Sequence, residues 1–245
     1  MPSSSTPSRL TIAGYPKCGT SALIREIKKD PRTALVTNPD GSLELAWPRI
    51  KEIEDGNEPV AELVVHKFTA YIYNMRAVDY LADDLTRRFV LCIRDPLKAV
   101  VSWYLMHQRI AKDGKQTNHF AFKNRDFYAN CTVDEYFEAF AKERTDYAAN
   151  LEKLVRRAGL RRVLVVSQER MAADTAAVGA ACVRFGLGDP DALEIPESSA
   201  DASGGHVSRA EKEKLEMSQA TIDVLTERRE RLYQKLSRPE FLALV

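Results

Sequence analysis

Apolar residues in this chain gather into short continuous runs separated by amphipathic stretches. The runs predict strands at about Arg9 to Ala13, Ala34 to Val36, Ala61 to Val65, Phe89 to Ile93 and Arg161 to Val166. Near-continuous apolar character, rather than alternation, is what strands covered on both sheet faces require. Helical patterns fall between them. One spans about Thr20 to Lys29 and stops before Pro31, because the residue preceding a proline avoids the α region. A second covers about Asn74 to Asp84, and a third starts at Pro96, with Val100, Val101, Tyr104 and Leu105 on its apolar face. Thr132-Val133-Asp134-Glu135 is a capping-box pattern opening a helix toward Arg157, with a break near Asp146. Helix returns from Ser167, with Ala176 to Phe185 closed by Gly186 or Gly188, and a charged amphipathic helix runs from about Ser208 to Leu236. Strand and helix in alternation predict an α/β fold, a single domain over residues 9–245 with a central parallel sheet flanked by helices. Residues 1–8, rich in Ser and Pro, read as a frayed tail.

Three stretches lack periodicity. Lys51 to Glu58 is polar. Ala111 to Asn130 is polar with scattered aromatics, and its length suggests a lid or an acceptor-binding excursion rather than a connector. Ile195 to Ser208, carrying Ser203, Gly204 and Gly205, reads as a long loop.

Charge and cysteine content narrow the function classes. Thirty-six Lys and Arg against 35 Asp and Glu leave no global basic field, so nucleic acid is not an expected partner and any anion site must be local. No apolar run reaches membrane-span length, and MPSSSTPSRL has no apolar targeting core, so neither a signal peptide nor a membrane span is expected and the location reads as cytoplasmic. Cys18, Cys92, Cys131 and Cys182 show no metal or redox spacing and read as reduced thiols.

The chemistry concentrates at Gly14-Tyr15-Pro16-Lys17-Cys18-Gly19-Thr20-Ser21, between the first strand and the first helix. A glycine-bounded loop that ends in a helix start turns free N–H groups toward an anion, so the stretch predicts a phosphate cradle. Its glycine spacing is that of a Walker A loop, yet Thr20 stands where the Walker lysine would follow Gly19, and the lysine, Lys17, lies inside the loop. A lysine there meets a single phosphate and the group leaving from it, rather than the β- and γ-phosphates beside Mg²⁺. Open parallel sheets bind ligands beyond the carboxyl ends of their strands, where this loop, His66-Lys67 and Arg94 all fall. Asp40 and Glu44 are the carboxylates on the same edge.

The loop sequence GYPKCGTSAL resembles the 5′-phosphosulfate loop of sulfotransferases, PKxGT[ST]; the donor of that family is 3′-phosphoadenosine 5′-phosphosulfate, PAPS. The resemblance implies donor contacts from Pro16, Lys17, Cys18, Gly19, Thr20 and Ser21. Arg94-Asp95-Pro96 with Ser102 is similar to the family's 3′-phosphate site, in which arginine and serine hold the phosphate that distinguishes PAPS from ATP. His66-Lys67-Phe68-Thr69-Ala70-Tyr71 resembles the E-K-[ST]-P-A-Y segment of heparan-type members: Lys67 and Tyr71 match, while His66 stands in the acidic position. Glu44 resembles the acidic residue that follows the family's second strand. Gly204 and Gly205 sit where the family closes a glycine-bearing loop over the nucleotide, without its usual basic residues.

The resemblance implies transfer of a sulfuryl group from PAPS to a hydroxyl or amine of a small-molecule or carbohydrate acceptor, with no metal. Lys17 would meet the leaving phosphate and Lys67 the sulfuryl oxygens. Either His66 or Glu44 would take the acceptor proton, with Asp40 as a third candidate. Imidazole suits that role because it titrates near neutral pH. Two other readings stay open at this point: a P-loop kinase or NTPase with Asp95 as a Mg²⁺ ligand, and a non-catalytic nucleotide-binding module using Ala111 to Asn130 for a partner.

Overall fold

Among the described residues, six strands form one parallel sheet in the computed structural model, in the order β2-β3-β1-β4-β5-β6. They are β1 (Ser8–Gly14), β2 (Thr33–Leu35), β3 (Leu63–Lys67), β4 (Arg87–Ile93), β5 (Val163–Ser167) and β6 (Leu242–Leu244). The structure describes residues 7–15, 17–45, 47–56, 58–69, 75–113, 119–189, 191–192 and 215–244. Contacts divide the chain into two compact units, one drawn from Met1–Ile93, Asn150–Ser203 and Leu236–Val245, the other from Arg94–Ala149 and Gly204–Lys235.

The first unit holds the whole sheet. Its inner strands are apolar on both faces because helices cover both, and Leu10, Ile12, Val64, Phe89, Val90, Leu91 and Leu164 are all 0% exposed. Each such side chain contributes roughly 1.5–3 kcal/mol on burial. Helix α1 (Thr20–Ile27) inserts Leu23, Ile24 and Ile27 into that core. The strand order puts β1 in the middle, with the chain leaving its C-terminal end toward β2 on one side and the end of β4 on the other. A reversal of this kind opens a ligand-sized crevice in doubly wound sheets.

Several sequence expectations shift here. The polar stretch Lys51 to Glu58 begins inside a helix, α2 (Trp47–Glu54), whose charged residues mask a stripe of Ile50 and Ile53 buried in the core. Strand β3 runs on through Lys67 rather than ending at Val65, because Lys67 keeps register with Ile12 of β1. The edge strand β6 is too short and too plain in sequence to stand out. Helix α3 (Met75–Asp83), the break near Asp146 before α8 (Tyr147–Ala158), and the helices α9 (Gln168–Ala173) and α10 (Thr175–Leu187) agree with the pattern. Gly188, in the left-handed region at φ 87°, ends α10.

The second unit is helical. Asp95 caps α4 (Pro96–Asp113), its Oδ1 accepting from the backbone N–H groups of Leu97 at 2.9 Å and Lys98 at 3.2 Å. Part of the Ala111–Asn130 excursion folds into two single turns, α5 (Phe120–Lys123) and α6 (Arg125–Tyr128). Their aromatics gather on the buried ring of His107, with Phe120 at 4.8 Å and Tyr128 at 5.7 Å between centroids. The capping box forms as the sequence predicts at Thr132 and Glu135, opening α7 (Val133–Tyr136), which leads into a π-helical turn over Phe137–Ala141. Helix α11 (Gln219–Leu236) is tied to this unit by Arg231 to Asp146 at 2.6 Å and by Arg228 to Thr145 Oγ1 at 2.7 Å. The long loop expected from Ile195 to Ser208 and the predicted start of the last helix lie outside the described residues.

Candidate active site

The phosphate loop takes its shape from two glycines with different tasks. A Cβ on Gly14 would stand 2.6 Å from the carbonyl oxygen of Cys92, so only glycine lets β1 leave the sheet this close to β4. Gly19, at φ 81°, is the N-cap of α1 in the left-handed region, and a Cβ there would meet Met171 Cε of α9 at 2.3 Å. Lys17 is also left-handed, at φ 65°. Between them the Cys18 N–H closes a turn onto the Tyr15 carbonyl at 3.2 Å.

This geometry leaves the start of α1 uncompensated. The N–H groups of Ala22 and Leu23 turn back to Gly19 O at 2.9 and 3.1 Å, but those of Gly19, Thr20 and Ser21 meet no protein acceptor among the described residues. No acidic residue sits in the first turn and no side chain caps it, so the helix end presents its partial positive charge to whatever lies above it. Cys18 is fully buried and Thr20 nearly so, while Ser21 is exposed. Pro16 lies outside the described residues.

Lys67, at the last position of β3, reaches this loop. Its Nζ donates to Ser21 Oγ at 3.3 Å and lies 3.0 Å from Glu44 Oε2. Glu44 is held there by its backbone, which pairs with Lys67 as an isolated parallel bridge, and by Leu45 N–H donating to Lys67 O at 3.0 Å. Asn38 Nδ2 fixes the Glu44 carbonyl at 2.8 Å. The other carboxylate oxygen, Oε1, accepts from Thr69 N at 2.8 Å and from the Thr69 hydroxyl. Thr69 carries no signal in the sequence beyond following Lys67 by two positions, and its partner stands 25 residues away.

The expectation that His66 supplies a base is not met by its placement. Adjacent strand residues face opposite sides of a sheet, so with Lys67 directed at the phosphate loop His66 is directed away from it. Its side chain is 0% exposed, and its Nδ1 accepts from Arg87 at 2.9 Å, which puts the ring proton on Nε2. Arg87, equally buried, also donates to Thr11 Oγ1 at 3.0 Å and pairs with Glu54 of α2. Burial and the Arg87 charge hold His66 well below the usual imidazole range, so it stays neutral as a structural member of this cluster. Asp40 is engaged elsewhere too: its Oδ1 accepts from Ser42 N at 2.9 Å within its own turn, and the Ser42 bonds hold its carboxyl below the ordinary range.

In the second unit, Arg94 is half-buried directly after β4, and Ser102 is 3% exposed on α4. Asp95, considered above as a metal ligand, spends one oxygen on capping α4 and turns the other to Arg229 Nε at 3.5 Å. Among the described residues no three His, Cys, Asp or Glu side chains gather as a metal ion would need, and no helix is long and apolar enough to cross a membrane. All four cysteines are free and buried. Gly204, Gly205 and Tyr71 lie outside the described residues.

A family model described as a sulfotransferase domain matches residues 7–221. The crystal structure of a sulfotransferase from Alicyclobacillus acidocaldarius is similar in fold, with a TM-score of 0.57 at 18% identity, over 96% of this chain and 97% of that one. No curated protein matches the chain.

Proposed function

Since the chain belongs to the sulfotransferase family, and is therefore a transferase, we propose that its donor is PAPS and its acceptor a hydroxyl or amine of a small molecule or carbohydrate. One observation carries this reading: Lys67, Ser21 and Glu44 converge beside a loop whose helix-start N–H groups, at Gly19, Thr20 and Ser21, meet no protein acceptor among the described residues. Two cations, Lys17 and Lys67, and an uncompensated helix start suit a donor with a 5′-phosphosulfate. Arg94 and Ser102 take the 3′-phosphate, and the likeness to the family's glycine-bearing loop assigns Gly204 and Gly205 to the nucleotide.

In the transfer, the Glu44 carboxylate accepts the proton of the acceptor as its oxygen or nitrogen attacks sulfur. The sulfur bond to the bridging phosphate oxygen breaks, and 3′-phosphoadenosine 5′-phosphate departs with the electron pair. Lys17 and the loop amides meet the charge that grows on that phosphate, while Lys67 meets the sulfuryl oxygens. Glu44 replaces His66 in this role because its carboxylate is half-exposed beside the loop, whereas the imidazole is sealed beneath the sheet. The four free thiols suit a reducing cytoplasm.

The test uses donor labelled in its sulfuryl group, a panel of alcohols, phenols, amines and sugars, and calorimetric binding of 3′-phosphoadenosine 5′-phosphate against ATP–Mg²⁺. Label appearing in an acceptor, with the bisphosphate binding more tightly than ATP–Mg²⁺, is the expected result. Tighter ATP–Mg²⁺ binding with phosphate transfer would return the kinase reading. Bisphosphate binding without any transfer would make the protein a nucleotide-binding module.

A further inference from the structure

A carboxylate on an exposed segment is ordinarily a poor proton acceptor for an aligned reaction, since its side chain samples many rotamers and must be ordered first. Glu44 is 44% exposed, yet both of its oxygens are engaged. Oε2 faces Lys67, and Oε1 takes two donors from a single residue, the amide and the hydroxyl of Thr69. Thr69 is itself well placed. The preceding residue, Phe68, is 4% exposed and its N–H donates to Ile12 O of β1 at 3.0 Å, so the core anchors the chain immediately before Thr69.

Resting on the assignment of Glu44 as base, we propose that Thr69 is a positioning residue for the reaction, its paired amide and hydroxyl fixing the Glu44 carboxylate through Oε1 so that Oε2, held by Lys67, keeps a lone pair for the acceptor. The division of labour is chemical. Lys67 alone would hold Glu44 through one oxygen and leave rotation about the terminal torsion, which is broad for glutamate. Two donors on the second oxygen remove that freedom. The hydroxyl is the part a mutation can remove, because the amide belongs to the backbone.

The experiment is a double-mutant cycle between Thr69→Val, which keeps the side-chain shape but loses the hydroxyl, and Glu44→Gln, with PAPS as donor. The probes are 2-phenylethanol, whose proton must be removed, and 4-nitrophenol, whose acidic hydroxyl is already partly ionised near neutral pH and fully so a little above it. Thr69→Val should lower kcat on 2-phenylethanol roughly tenfold, the loss of one charge-assisted hydrogen bond, with KM for PAPS little changed. It should lower kcat much less on 4-nitrophenol. Thr69→Ser should recover most of the loss, and Thr69→Val should add nothing in the Glu44→Gln background. Thermal melts check folding, and Thr69→Ala replaces the valine variant if that one is unfolded. Equal losses on both probes, no rescue by serine, or additivity with Glu44→Gln would overturn the role of Thr69 while leaving Glu44 as base. If Glu44→Gln itself turns over 2-phenylethanol at the parent rate, the base assignment fails, and the role of Thr69 falls with it.

Discussion

Lys67 and Glu44 meet twice, through a parallel backbone bridge and through a 3.0 Å contact between Nζ and Oε2. The double tie makes the last residue of β3 the organiser of the candidate site, since the same Nζ also donates to Ser21 of the phosphate loop. If that carboxylate takes the acceptor proton, Glu44→Gln should remove the acid limb of the kcat/KM profile on an alcohol while sparing an ionised phenol. His66→Gln should leave the limb in place. Profiles measured with both acceptors decide between them; loss of the limb in the His66 variant alone would reinstate the imidazole.

In the proposed transfer Lys17 serves the leaving group rather than ground-state binding. Its charge is needed most as the phosphate departs, so Lys17→Ala should depress kcat far more than it weakens calorimetric binding of 3′-phosphoadenosine 5′-phosphate. Turnover near the parent rate would remove Lys17 from the mechanism.

Arg94 tests donor choice. Arg94→Ala should weaken 3′-phosphoadenosine 5′-phosphate by roughly ten- to hundredfold, the equivalent of about 1.5–3 kcal/mol for a charged hydrogen bond. Adenosine 5′-phosphosulfate, which lacks the 3′-phosphate, should bind nearly as before. An equal loss for both ligands would assign Arg94 to the fold.

Gly19 is constrained in two separable ways, by its φ of 81° and by the 2.3 Å approach that a Cβ would make to Met171 Cε. Gly19→Ala should therefore lower thermal stability, with the left-handed backbone alone costing about 1–2 kcal/mol. Adding Met171→Ala should relieve the clash but not the backbone cost. Complete recovery in the double variant would mean the conformation itself is unstrained.

Stability should fall on acidification through a pair of buried histidines. Burial, then the neighbouring His119 and Arg144, push His107 down to about 3, and burial with Arg87 holds His66 low as well. Below the unfolded value of about 6.5 the unfolded chain binds protons that the native state refuses. The stabilisation is thus complete above about pH 6.5 and is lost as pH falls toward the folded values, by about 1.4 kcal/mol per pH unit for each histidine. His107→Gln should reduce that slope by one histidine's share in urea titrations between pH 6.5 and pH 5. An unchanged slope would show that His107 takes up its proton in the native state.

What could be read without a structure was local. The shape of the candidate phosphate loop was legible because its parts are contiguous: a buried strand, two glycines at a fixed spacing, a lysine between them and a helix start. The inner strands were legible because burial on both faces writes itself as an unbroken apolar run. Helix α2 was not, since its two core isoleucines sit among charged residues and become a stripe only when wound at the helical period. Which of His66 and Glu44 stands beside the loop belonged to tertiary structure. Neighbouring positions on a strand always face opposite ways, but only the pairing of Lys67 with Ile12 shows that the strand extends this far. That register directs Lys67 to Ser21 and seals His66 against Arg87 and Glu54, partners 21 and 12 residues away along the chain that no local pattern connects to it. Thr69 followed the same logic, because a hydrogen bond to a carboxylate 25 residues distant depends on two segments meeting across a sheet edge, and that meeting is set by packing.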